Sequence, residues 1–136
     1  MAIPSFEGLQ IWQEARRLTN RIYDITKQPS FSKDFGLINQ IRKASISIGS
    51  NIAEGHERGG TQEFLQFLSI AKGSSGEVRS QLYLALDQGY AGKESCEQLI
   101  DDFKKLTIMI NNFMKYLKTT AYKGTKYKTN QEEKKI

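Results

Sequence analysis

The chain has 136 residues, 38% hydrophobic and 26% charged, the proportions of one globular domain and not of a disordered or fibrous chain. Its single cysteine, Cys96, excludes an intrachain disulfide, and its longest wholly apolar run, residues 82–86, is far too short to cross a bilayer. The net charge of +5 is unevenly placed: residues 1–118 carry +2 (15 Lys and Arg against 13 Asp and Glu) and residues 119–136 carry +3, so the basic pI is weak evidence for a nucleic-acid partner.

The first residues lack a basic region and a long apolar core, so no signal peptide is expected, and a cytoplasmic location is. A first helix is expected over residues 8–27, where Trp12, Ala15, Thr19, Ile22, Tyr23 and Thr26 recur at helical spacing. Pro29 ends it, because proline disfavours α geometry in the residue before it. The second helix is expected over 34–53, with Leu37, Ile38, Ile41, Ala44, Ser45, Ile48 and Ile52 in one stripe and Gly55 as its left-handed terminator. Thr61 is placed to cap a third helix over 61–88. Its middle, Gly73-Ser74-Ser75-Gly76, reads like a linker, yet Phe64, Leu68, Ala71, Ser75, Val78, Leu82 and Ala85 keep one phase across it. One unbroken helix is therefore expected, its two glycines each costing roughly 1 kcal/mol relative to alanine. Small residues of the second helix, Ser45, Ser47, Gly49, Ser50 and Ala53, are the natural neighbours of that glycine pair. After a turn at Gly89 and Gly92, Cys96, Leu99, Ile100, Phe103, Leu106, Ile110, Phe113, Met114 and Leu117 mark a fourth helix over 94–118. Residues 119–136 have no apolar period and are expected to form a basic, disordered tail. The predicted fold is all-α, an antiparallel up-down-up-down four-helix bundle over residues 1–118. Leu65, Ile70, Tyr83 and Leu84 lie off the main stripe of the third helix, and they predict a subunit interface.

Catalytic and metal chemistry find little support. His56 is the only histidine, and metal sites need several ligands. Cys96 lies on an apolar stripe, the position of an inert buried thiol. Gly55-His56-Glu57-Arg58-Gly59-Gly60 follows a helix and lacks the Lys-Ser or Lys-Thr of a phosphate loop. No enzyme, cofactor or metal is expected. Asn51 and Glu54 stand out, because neither propensity nor core packing selects them at a helix end. They are expected to join a polar network with Arg42, or with Ser69, Ser74, Ser75 or Glu77, beside Gly55. Such a network serves either to fix the crossing of the second and third helices or to bind a ligand. The basic candidates for phosphate contact are Arg17, Arg21, Lys43, Arg58 and Lys72, with Arg16, Arg42 and Arg79 near them.

Leu9-Gln10-Ile11-Trp12-Gln13, Gly36-Leu37-Ile38-Asn39-Gln40-Ile41-Arg42, Asn51-Ile52-Ala53-Glu54-Gly55 and Glu63-Phe64-Leu65-Gln66-Phe67-Leu68 together resemble one family. It is the bacterial four-helix-bundle protein encoded in intervening sequences of 23S ribosomal RNA genes, to which the accessory variability determinant of diversity-generating retroelements is related. The resemblance runs from Phe6 to Leu117. It implies a small bundle that assembles into a ring, typically a homopentamer, with no known enzyme among its members. It also implies that the accessory relatives bind nucleic acid through basic surface and associate with a reverse transcriptase. The family commonly has proline where this chain has Gly49, so a kink there is absent or comes from glycine. The function expected from residues and resemblance together is a non-catalytic homo-oligomer binding structured nucleic acid, RNA in the first instance and DNA in the second. A scaffold docking a protein such as a reverse transcriptase is the alternative.

Overall fold

The computed structural model describes residues 5–135, with side chains as far as residue 120. A 3-10 turn at Phe6–Gly8 leads into α1 (Gln10–Thr26), followed by α2 (Phe35–Glu57), α3 (Thr61–Gln88) and α4 (Lys93–Lys135). There is no strand among the described residues. Contacts between the helices show that sequential neighbours run in opposite directions. Thr26 meets Arg42 and Thr19 meets Ser45, so α1 and α2 are antiparallel. Ser47 meets Ser74 across α2 and α3, while Lys72 meets Asn111 and Ser75 meets Phe103 across α3 and α4. α1 closes the bundle on α4, where Arg17 reaches Asp102. Leu18, Ile22, Ile41, Ile48, Ile52, Leu68, Leu82, Leu99, Phe103 and Leu106 are wholly buried in one continuous core. α4 continues through residues 119–135, which the sequence sets apart as a tail. Side chains from residue 121 on lie outside the described residues, and the division at residue 118 stays an expectation.

The ends of the helices depart from the expectations in instructive ways. α2 starts at Asp34, whose Oδ1 accepts from the Leu37 amide at 3.0 Å. α2 does not stop at Gly55 but runs two residues further, to Glu57, and the left-handed residue is Gly59, at φ +81°. Gly55 is instead a buried helical residue, because a Cβ there would lie 2.8 Å from both Phe64 Cδ1 and Phe67 Cβ. The first turn of α3 leans on that bare backbone. Thr61 is the first residue of α3 and not its cap. Gly60 holds the cap position, with no side-chain bond. Gly89, at φ +69°, terminates α3 in the left-handed region.

The Gly73–Gly76 stretch is continuous helix, as its phase requires. Its glycines do not meet α2: a Cβ on Gly73 would touch nothing within 4 Å, and one on Gly76 only the guanidinium of Arg79. The serines between them make the contacts. Ser75 is wholly buried, donates to the Phe103 carbonyl at 3.0 Å and accepts from Thr107 at 2.9 Å. Ser74 shares a hydrogen bond with Ser47 at 3.0 Å.

The two loops at one end of the bundle are tied together. Tyr90, in the turn before α4, donates its phenol to Asp34 Oδ2 at 2.9 Å, and its ring lies 5.0 Å from that of the buried Phe31. Ser30 donates to the Tyr90 carbonyl. Asp34 thus holds the start of α2 with one oxygen and the α3–α4 turn with the other.

Candidate nucleic-acid interface

The polar motif read from the sequence is only partly assembled. Asn51 donates its amide to the Ser47 carbonyl at 2.8 Å and to Ser47 Oγ at 2.9 Å, and Ser47 passes the link to Ser74 on α3. That half joins α2 to α3. Arg42 is not part of it: it sits on the other side of α2, donating Nε to Thr26 Oγ1 at 2.9 Å with its guanidinium 4.5 Å from the Tyr23 ring centre. Positions 42 and 51 differ by nine residues, about 900° of helix rotation, which places them on opposite flanks. Glu54 pairs with Arg58 on its own helix at 2.8 Å. Glu77 is exposed and, among the described residues, accepts from Gln81 alone. Gly55 serves packing.

The basic candidates do not form one patch. Arg17 is held by Glu14 at 2.7 Å and lies 3.7 Å from Asp102. The hydrogen bond and charge of Arg17 lower the Glu14 pKa against the opposing effect of burial, and Glu14 in turn raises that of Arg17. Arg58 pairs with Glu54 and Glu63 and lies over the Phe67 ring. Lys72 is half-buried and donates to Asn111 Oδ1 at 3.1 Å. Arg21 and Lys43 have no ion-pair partner among the described residues, but Arg21 follows Arg17 by one turn on the α4 side of α1, whereas Lys43 is exposed on α2. Of the interface candidates, Ile70, Tyr83 and Leu84 are each about half exposed, and Leu65 is half-buried.

The groove between α1 and α2 presents a different arrangement. Trp12, Arg16 and Tyr23 recur along one flank of α1, at spacings of four and seven residues. Arg16 lies 5.6 Å from the Trp12 ring centre, and Arg42 from α2 lies over Tyr23. Neither arginine has a carboxylate partner among the described residues. Beside Trp12 is a recess of about 210 Å³ whose lining includes Arg16, Asn20, Ile46, Gly49 and Ser50. Three other recesses differ in charge. One of about 530 Å³ between the start of α1 and α4 (Leu9, Ile11, Met109, Phe113) and one of about 420 Å³ on α3 have no charged lining. One of about 240 Å³ includes Glu97 and Asp101. Of the four, only the recess at Trp12 offers a cation without a carboxylate. The sequence reading placed Trp12, Thr19 and Tyr23 on the core stripe and did not connect them with Arg16 and Arg42. The signal available was the Trp-Arg spacing of four, which puts a guanidinium over an indole on one face.

Among the described residues no group of three or more His, Cys, Asp and Glu side chains could hold a metal ion, and no helix is long and apolar enough to cross a membrane. Cys96 is wholly buried, and burial raises its thiol pKa.

The fold and this groove define a small antiparallel helical bundle with a basic, aromatic seam. Residues 7–112 match the family described as 23S rRNA-intervening sequence protein, and the chain belongs to that family. It is similar in structure to a protein of unknown function from the S23 ribosomal protein family of Bacteroides thetaiotaomicron. The two share 23% identity at a TM-score of 0.70, over 77% of this chain and 98% of the other. No curated protein matches the sequence.

Proposed function

We propose that the protein is a non-catalytic, cytoplasmic subunit that assembles with copies of itself and binds structured nucleic acid, RNA foremost, through phosphate contacts along the α1–α2 groove. The observation that carries this reading is the pair Arg16 and Arg42, laid on Trp12 and Tyr23 with no ion-pair partner among the described residues. A guanidinium already stacked on a ring has lost much of its rotamer freedom, and it can still present a bidentate fork to a phosphate. The charge-paired Arg17 and Arg58 would first have to give up their carboxylates. Exposed Ile70, Tyr83 and Leu84 on α3, with bare Gly73 between them, support self-assembly through that face. A closed ring, five copies by the family resemblance, would repeat the groove about an axis and multiply a modest field.

Fluorescence anisotropy of a labelled hairpin RNA tests the reading. Two phosphate contacts per subunit predict roughly tenfold weaker binding at 200 mM than at 50 mM salt. Arg16→Ala should flatten that slope, whereas Arg17→Ala should leave it unchanged. No binding at 50 mM, or equal losses in both variants, would overturn it. The same α3 residues also support a second reading, a scaffold docking a protein such as a reverse transcriptase, whose complex would be insensitive to salt and lost in Leu84→Glu.

A further inference from the structure

The recess at Trp12 has features that phosphate binding alone does not use. We infer that it holds one unstacked nucleobase of a single-stranded segment, with an adjoining phosphate on Arg16; this rests on the nucleic-acid reading above. Its lining is mostly apolar and includes the Trp12 indole, the Ile46 side chain and the helix at Gly49, so one planar ring system, that of Trp12, borders it. Gly49 keeps the slot open. A Cβ there would sit 3.7 Å from Trp12 Nε1, in ordinary contact, so the fold does not require glycine, but a longer side chain would fill the space.

The rim offers both donors and acceptors. Trp12 Nε1 has no hydrogen-bond partner among the described residues. Asn20 spends its amide nitrogen on the Arg16 carbonyl at 2.9 Å, which leaves Oδ1 as an acceptor. Ser50 is exposed and adds a hydroxyl. Thr19, also in the lining, is already committed to main-chain carbonyls. A flat group carrying donors and acceptors on its edge, with an anion attached, matches this set, and a nucleotide unit has that chemistry. A simple anion would use Arg16 and leave the indole edge unused. A fatty acid would leave Asn20 and Ser50 unmatched. The recess is too small for a duplex, so the base must come from a loop or a single strand.

Trp12 is the only tryptophan, so its emission reads the site directly. The wild-type protein is titrated at 50 mM salt with a labelled twelve-nucleotide single-stranded RNA, following anisotropy and Trp12 emission together, and separately with adenosine monophosphate and with ribose 5-phosphate. The inference expects quenching by the RNA and by adenosine monophosphate, and none by ribose 5-phosphate. Gly49→Leu should abolish the quenching and weaken RNA binding roughly tenfold, the value of one stacked base. Asn20→Asp, at an exposed position that does not endanger folding, should weaken it similarly. RNA binding with unchanged emission and wild-type affinity in Asn20→Asp would overturn the base pocket and leave the phosphate groove standing. No rise in anisotropy at 50 mM would overturn both.

Discussion

Three glycines on two helices do three different jobs. Gly55 makes room for Phe64 and Phe67, Gly49 borders an open slot, and Gly73 faces empty space. Alanine substitution should separate them. Gly55→Ala forces a Cβ to within 2.8 Å of two phenylalanine side chains, and such overpacking costs about 1–3 kcal/mol even after the gain in helix propensity. Gly49→Ala meets only ordinary contacts and should gain up to about 1 kcal/mol. Denaturant unfolding of both variants checks the contrast, and equal effects would refute it. The sequence marked Gly55 correctly as a constrained position but for the wrong reason. A glycine after a helical stripe signals a left-handed stop, and nothing local distinguishes that from a glycine required by a neighbouring helix. Asn51 was legible as an anomaly, and its link to Ser74 lay within the alternatives considered. Its separation from Arg42 follows from helix rotation alone.

At the level of elements, periodicity carried most of the information. The four apolar stripes gave four helices, and phase alone decided that the Gly-Ser-Ser-Gly stretch of α3 is unbroken. What phase could not reveal is which of those residues face inward. The serines are buried because each finds a partner, Ser47 for Ser74 and Phe103 with Thr107 for Ser75, while the glycines turn outward. Outward glycines weaken a helix without helping the single subunit, and the proposed α3 seam would give them a use. The double variant Gly73→Ala, Gly76→Ala should therefore raise the unfolding temperature of the dissociated subunit by several degrees, from roughly 1–2 kcal/mol of helix propensity. If α3 forms the subunit seam, the same variant should shift the assembled species towards monomer in sedimentation. A seam that tolerates both alanines would show that backbones do not meet there. Caps were the least legible feature. Thr61 has the right residue type, but Gly60 before it takes the cap geometry.

Across the whole molecule, the loops α1–α2 and α3–α4 are joined through Tyr90, Asp34, Ser30 and Phe31. The hydrogen bond to Asp34 is the main cause that raises the Tyr90 pKa above its ordinary value of about 10, with burial and the carboxylate charge acting in the same direction. The folded state therefore holds this proton more tightly than the unfolded chain. The stabilisation is complete below pH 10 and is lost as pH rises through the raised value. Denaturant midpoints measured from pH 8 to pH 11 should fall more steeply for the wild type than for Tyr90→Phe. Parallel curves would show that the bond carries no such linkage. The pairing of distant loops could not be read from local sequence, and of the groove only the Trp12–Arg16 spacing could, since the rest depends on how rotated helices meet.

The Tyr90 link lies at one end of the bundle, whereas Trp12 and Gly49 lie towards the other, beyond several helical turns. The indole is thus separated from the Tyr90 link by most of the length of α1, so Tyr90→Phe should leave the emission of Trp12 as it is in the wild type.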